Sequence, residues 1–390
     1  MKPISFLRIT SRSELPPIAD AWDRLYGEQE DRSPFLHWIW FDTFWAEMDT
    51  GGSEVTLLTA WDGDILVGVA PIMIKSVAFP GIRCDVVRGL ENVHSELYQW
   101  LLSSDTTLAF QTAQLFIEKI KTLSSGFHIV TWGNMLNDHP VSRIICRALE
   151  DAGYRITLRR RRLAPVIDLS GNTDFISSLS SSFRSRLKNR WNRLEKMGKI
   201  LFETVSEPVD LKARLDEAWN LEAASWKGSL KTSVAQNAHL KNFYNQLAVR
   251  LSPMNKMMLF LLRCDNTLIA FDYCLLDHGM IHLLKLSFDD TYARTSPNYL
   301  LNWKIAEWAI GKGFSHFHLG GKPDEWKLHW TNNTADFVTL FAFSPGTAGQ
   351  LIYWIRFGWK DVLKRFPLAQ RVKDLLDKRK WRRKRYGAEK

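Results

Sequence analysis

Apolar positions along the chain switch between two periods, and the switches mark out the elements. Residues 15 to 48 carry Leu25, Trp38, Phe41, Phe44 and Trp45 at helical spacing and are predicted as helix. The run VTLLTAWDGDILVGVAPIMI, 55 to 74, is two apolar segments broken at Asp62-Gly63, the pattern of a β-hairpin. LAFQTAQLFIEKIKTL (108 to 123) returns to helical spacing. FHIVTW (127 to 132) reads as a buried strand, and VSRIICRALEDAGY (141 to 154) as a helix stopped by Gly153. Hairpin, helix, strand, helix is the order of an α/β unit.

The second half repeats that order. MMLFLLRCDNTLIAFDYCLL (257 to 276) is strand, Asp265-Asn266 turn and strand, and MIHLLKLSF (280 to 288) is a third strand after His278-Gly279. NYLLNWKIAEWAIGKG (298 to 313) is predicted helical with a glycine terminus. FSHFHLGG (314 to 321) is a short strand leaving through glycines, and DFVTLFAF (336 to 343) is a last strand. The hairpins lie about 200 residues apart, Asp62 against Asp265, which points to an internal duplication. Between the halves, LRRRRLAPVIDL (158 to 169) precedes SSFRSRLKNRWNRLEKMGK (181 to 199), a basic segment that reads as a helix ending near Gly198. The boundary is placed near 165, with units at 1–165 and 166–346 and a tail at 347–390.

At 45% hydrophobic and 24% charged residues, a chain of 390 can bury full cores and is neither disordered nor fibrous. Its 17 Trp suit large packed cores, or pockets that grip flat or acyl groups. The start, MKPISFLRIT, lacks the apolar centre of a secretory signal, and no apolar run approaches the roughly 18 residues that span a bilayer. Cys84, Cys146, Cys264 and Cys274 have no CxxC spacing, as expected of buried thiols in a reducing cytoplasm. The net charge of +10 is local: Gln350 to Lys390 hold 14 Lys and Arg against 4 Asp and Glu, so the body is balanced.

One long stretch, FDDTYARTSPNYLLNWKIAEWAIGKGFSHFHLGGKPDEWKLHW, resembles the CelD-like acetyltransferases of the GNAT superfamily, a group akin in fold to the Fem peptidoglycan aminoacyltransferases. Phe288-Asp289-Asp290 stands where the family has a Tyr-Asp-Pro turn, and Ser296-Pro297-Asn298 where a Ser-Pro-Gly helix start is usual. A helix, a strand, Gly320 and the aromatic-lysine pair Trp326-Lys327 follow in family order. The basic helix 183–199 and LEAASWKG (221 to 228) add to the likeness. Three positions depart from it: Asn298 replaces Gly, Asp290 replaces Pro, and His318 stands where an acidic residue is common. The resemblance implies two tandem GNAT-like domains with mixed sheets flanked by helices. It also implies an acyl-CoA co-substrate, acetyl-CoA or a homologue, and transfer of the acyl group to an amine or hydroxyl, with no metal.

A helix N-terminus offers amide N–H groups and a partial positive charge to a diphosphate. Ser296 as cap, Pro297 in the first turn, Asn298, Tyr299 and Gly320 are therefore the expected coenzyme A contacts, a purely structural cap being the other reading. Acyl transfer passes through an oxyanion, which the ammonium of Lys327 can stabilise while Trp326 excludes water; a surface lysine paired with Asp324 is the plain alternative. For the general base, His318, Asp272 and Asp289 each fall on, or at the end of, a predicted core strand. His316 and His318 share a strand face, but no third ligand at a telling spacing joins them and no metal is expected. Arg186 and Arg190 on the basic helix are candidates for an anionic group, a solvated face being the alternative. Trp226, with Trp326, is a candidate substrate contact. His94, in ENVHSELYQW (91 to 100), is a candidate for an acceptor cleft between the halves.

The tail alternates aromatic and aliphatic residues with Lys and Arg, as does a segment that lies on an anionic membrane surface. Its end, KRKWRRKRY, can also grip RNA, though no RNA-module signature accompanies it. The expected setting is the cytoplasm, with peripheral contact to the inner membrane face. By resemblance the acceptor is a small molecule or saccharide, CelD-like proteins being associated with exopolysaccharide and cellulose production. Two rival readings stand beside this one: a Fem-like transferase fed by aminoacyl-tRNA, the one route to nucleic acid, and a non-catalytic GNAT scaffold partnering a polysaccharide synthase.

Overall fold

The computed structural model describes residues 3–79, 82–124, 128–171 and 174–358; most of the expected tail lies outside the described residues. β1 (Ser5–Ile9) leads through short turns to α1 (Ala19–Gly27), and α2 (Trp38–Glu47) follows. The helix predicted over 15 to 48 is thus interrupted. Ser33, before Pro34, is driven to extended backbone, and His37 is extended too, its Nδ1 accepting the Ile39 N–H at 3.2 Å to cap α2.

β2 (Glu54–Asp62), β3 (Ile65–Phe79) and β4 (Ile82–Gly89) form an antiparallel meander, with β5 (Leu101–Leu102) beside β3. α3 (Thr106–Leu123) then crosses over to β6 (His128–Leu136), parallel to β4, and α4 (Pro140–Asp151) leads to β7 (Arg155–Asp168). The second half begins with α5 (Phe175–Ser178), α6 (Ser181–Glu195), β8 (Ile200–Val205), α7 (Pro208–Ala224), α8 (Trp226–Ser229) and α9 (Ala238–Leu251). It repeats the meander in β9 (Met257–Cys264), β10 (Thr267–Asp277) and β11 (Met280–Phe288). The crossover recurs in α10 (Pro297–Gly311) and β12 (His316–His318), parallel to β11. α11 (Glu325–Leu328), β13 (Thr334–Phe343) and α12 (Thr347–Tyr353) complete the chain described. Both halves are therefore GNAT-like α/β units. Their hairpin turns superpose with a shift of one residue from the sequence reading: Asp62 faces Ile65 and Cys264 faces Thr267, so Asp265 (φ 52°) matches Gly63 (φ 60°) rather than Asp62.

All the strands on the main path form one sheet, in the order β1-β2-β3-β4-β6-β13-β7-β12-β11-β10-β9-β8. β7 joins the halves. It pairs with β13 as far as Pro165 and with β12 from Val166, so the residues expected to separate two units are a continuous strand. β13, the last strand, lies between β6 and β7 in the sheet of the first half. On one sheet face, Trp22, Phe35, Trp40 and Phe44 of the first half pack with Trp219, Phe243, Tyr244 and Tyr273 of the second in a shared core. Separate cores lie under α3 and α4, and under α6 and α10. Among the described residues no helix is long and apolar enough to cross a membrane.

Candidate active site

β11 and β12 run side by side only over Met280–His282 and His316–His318. β12 then stops while β11 continues to Phe288, so a gap opens beyond the paired His282 and His318. Where it opens, the register of β11 against β10 skips Leu284, a bulge that leaves that residue without a cross-strand partner. Gly320 and Gly321, both near φ 60°, turn the chain away from the gap. A Cβ at Gly320 would stand 2.9 Å from Leu283 O, so the close approach requires glycine. α11 brings the chain back and places Lys327 behind this loop. Its Nζ donates to Gly320 O at 2.6 Å and Lys322 O at 3.2 Å, with Asp324 at 3.6 Å. The lysine is buried rather than a surface charge, and burial lowers its pKa against the opposing pull of Asp324 and Glu96.

On the sheet face opposite α10, a cleft of about 690 Å³ runs between the halves and ends at His282, Leu283, His318 and Gly320. The two imidazoles stack with ring centroids 4.6 Å apart. Burial pushes His318 down to about 4, and burial with the neighbouring ring holds His282 well below its ordinary value, so both are neutral at physiological pH. From the first half, Glu96 lines the cleft, accepts from Arg162 Nη2 at 2.8 Å and takes the Gly321 N–H at 3.4 Å, tying β7 and the glycine loop together. Beside it, His94 Nδ1 lies 3.3 Å from the Tyr244 hydroxyl, and burial lowers this ring to about 4 as well. Lys285 Nζ sits 5.1 Å over the Tyr244 ring; burial pulls its pKa down to about 8 while Glu222 resists. Glu222, itself buried, pairs with Lys227 at 3.0 Å and accepts the Val234 N–H at 2.7 Å.

The opening of α10 differs from expectation. Ser296 is left-handed (φ 50°, ψ 67°) and its side chain makes no capping bond, because the 3-10 turn Asp290–Thr295 delivers the chain into the helix from the wrong side. Pro297 has no N–H, and the Tyr299 and Leu300 amides turn back to Ser296 O at 3.0 and 3.4 Å. Cations surround this turn instead. The Arg190 guanidinium lies 4.8 Å from the Tyr299 ring centre, and Arg193 donates to Arg294 O at 3.1 Å. Arg186 is exposed one turn earlier on the same helix. Trp326 and His329 pack on Tyr299, whose hydroxyl is 3.1 Å from His329 Nδ1.

Two of the candidate bases do not face the cleft. Asp272 lies under α10, on the opposite side of the sheet from His282, and Asn298 Nδ2 donates to it at 3.3 Å. Full burial raises its carboxyl to about 8. Asp289 caps the 3-10 turn, accepting from the Thr291 N–H at 2.8 Å and hydroxyl at 2.7 Å. Trp226 is half-exposed on α8, its backbone N–H donated to Asp290 at 3.1 Å. The expected residues thus divide. His318 and Gly320 line the cleft, with Lys327 behind and His94 alongside. Ser296, Pro297, Asn298, Tyr299, Trp326, Arg186 and Arg190 gather at the helix opening. Sequence reasoning missed His282, Glu96, Arg162 and Lys285. For His282 and Lys285 the available signal was a polar residue inside the apolar run MIHLLKLSF; Glu96 and Arg162 lie in polar stretches that carry no such signal, and the parallel pairing that aligns His282 with His318 is invisible in the chain.

Residues 181–328 match the family model described as an acetyltransferase (GNAT) domain. No curated protein matches the chain by sequence. Among solved structures, FemX is similar at a TM-score of 0.57 and 11% identity, over 90% of this chain and 99% of that one. The L-PGS of Bacillus licheniformis is similar at 0.53 and 14%, over 89% and 96%. The C-terminal domain of a protein named as a lysylphosphatidylglycerol synthetase, from Agrobacterium fabrum, is similar at 0.53 and 12%, over 88% and 95%. At these identities the likeness is one of fold, that of GNAT-type acyltransferases.

Proposed function

We propose that the chain transfers an acyl group, acetyl in the first instance, from an acyl-CoA seated where β11 and β12 part to an amine held in the cleft between the halves. The observation that carries this reading is the meeting of two spaces at one point. The cleft ends at His318 and Gly320, where the parallel pairing of β11 and β12 stops. A thioester lying in that gap would present its carbonyl to the floor of the cleft, and its diphosphate would reach Arg186, Arg190 and Arg193 of α6 in place of helix amides.

The amine nitrogen attacks the thioester carbonyl, the C–S bond breaks, and one N–H proton ends on the departing thiolate. Burial at the cleft floor disfavours the ammonium form of the acceptor, as burial does for Lys285 outside the cleft, and so supplies the free lone pair. His318 and His282 accept hydrogen bonds from the amine and fix its approach. Lys327 acts through Gly320, holding the glycine loop whose backbone borders the reacting carbonyl. The link to exopolysaccharide or envelope synthesis rests on the CelD-like resemblance alone.

A second reading, aminoacyl transfer from tRNA, draws support from the exposed arginines of α6 and from the likeness to a protein named for lysylphosphatidylglycerol synthesis. Calorimetry separates the two. Acetyl-CoA is expected to bind, with Arg186→Glu/Arg190→Glu weakening it about tenfold, more so at low salt. Absence of thioester binding together with tight tRNA binding would overturn the coenzyme A reading in favour of the second.

A further inference from the structure

We infer that α12 docks the protein on an anionic membrane surface, its outer apolar face entering the interface while arginines of β7 and of the helix meet lipid phosphates. The inference stands apart from the transfer reading. α12 and the π-helical turn Trp354–Gly358 that continues it are the first part of the basic tail, and they are fastened to the sheet. Tyr353 and Phe357 turn inward and pack with Cys84, Ile129 and Phe343. Leu351, Trp354 and Ile355, spaced i, i+3 and i+4, are left on the outer side at 55%, 52% and 58% exposure. Apolar residues scattered singly over a surface are ordinary, whereas three that adjoin on one helical face make a patch.

Charge rims the patch. The guanidinium carbon of Arg155 lies 3.8 Å from the Tyr353 ring centre, that of Arg159 4.9 Å from Phe357, and that of Arg356 4.8 Å from Phe341. All three arginines are exposed, and none has a carboxylate partner among the described residues; Arg155 donates to the neutral Gln350 Oε1 at 3.1 Å. Arg88 is exposed on the same sheet face, since it is in register with Thr131, which pairs with Phe341. Residues 359–390, which follow, hold 13 Lys and Arg against 4 Asp and Glu. A cationic rim around an apolar centre selects the occupant. A second copy docked through this face about a two-fold axis would set the unpaired arginines against one another. Nucleic acid would satisfy the arginines but gain nothing from Leu351 and Ile355, which have no π-face for a base to stack on. An anionic bilayer meets both parts: Trp354 and its aliphatic neighbours enter the boundary between headgroups and acyl chains, and the cations stay at the phosphates.

The test is vesicle flotation of the full chain at physiological salt. The protein is expected to float with phosphatidylcholine vesicles carrying about 30% phosphatidylglycerol, and not with phosphatidylcholine alone. Leu351→Ser/Trp354→Ser/Ile355→Ser should weaken that binding about tenfold and leave the thermal transition unchanged, because the side chains replaced are exposed. Leu351→Phe/Ile355→Trp should strengthen it about threefold. The same affinity for anionic vesicles in all three chains would mean that charge alone binds them, and would overturn the inference. Equal flotation with neutral vesicles would overturn it too, as would tight binding of a single-stranded RNA with no flotation, or a dimer in sedimentation velocity that the serine variant splits. Any acyl transfer measured in free solution should run at the native rate in the serine variant, so loss of flotation and loss of the proposed reaction are separate results.

Discussion

Asp272 shows how far a single residue can depart from the role its type suggests. An acid on a core strand of a transferase reads as a base, yet this one lies beneath α10 with its Oδ2 unpartnered, beside unpartnered Oδ1 atoms on Asn298 and Asn302. Burial raises its pKa to about 8, whereas an unfolded chain releases the proton near 4. Stability is therefore greatest below about pH 4, falls as pH rises between the two values, and is flat above about 8. Asp272→Asn removes the titration and adds donors among the orphaned acceptors. Urea unfolding should show the native chain losing about 4 kcal/mol between about pH 5 and about pH 9, and the variant less than half of that. Gly320→Ala should act through geometry instead: the left-handed backbone and the contact with Leu283 O should cost about 1–3 kcal/mol in the same assay, and acyl transfer should fall with it. Neither residue's environment is written in its neighbours along the chain. The burial of Lys327 depends on a loop closing over it, and the capping role of Asp289 on a 3-10 turn that sequence period does not resolve.

At the scale of elements the sequence was far more informative. The hairpins, α3, α4, α6 and α10 stand close to where apolar period and glycine stops place them, because each is amphipathic or bounded by a residue that accepts positive φ, such as Gly63, Asp265 and Gly313. The one broken element, 15 to 48, was misread since its apolar spacing continues across a segment that Pro34 forces out of helix. What the elements carry is testable at the contact between halves. Glu96→Gln leaves Arg162, largely buried, without its carboxylate, and should destabilise the chain by about 2 kcal/mol in urea unfolding, discounted for partial exposure. Glu96→Asp, which keeps the charge, should recover part of that loss.

On the scale of the whole molecule, the exchange of strands matters most. β13 closes the sheet of the first half from the far end of the chain, and β7 passes from one half to the other without leaving the sheet. A sequence divides naturally at 165 because composition and repeat both change there, but long-range pairing is not encoded in local pattern. Truncation after residue 333 should remove a central strand and prevent cooperative folding, while truncation after 358 should leave a sharp thermal transition; differential scanning calorimetry distinguishes them. The same exchange holds the two walls of the cleft in one sheet, which gives the acceptor a fixed position against the gap between β11 and β12. A crystal structure with a non-hydrolysable acetyl-CoA analogue examines that relation directly. The thioester mimic is expected between β11 and β12, its acyl carbon beside Gly320 and facing His318. An analogue bound at any other surface of the sheet, with the gap closed, would contradict it.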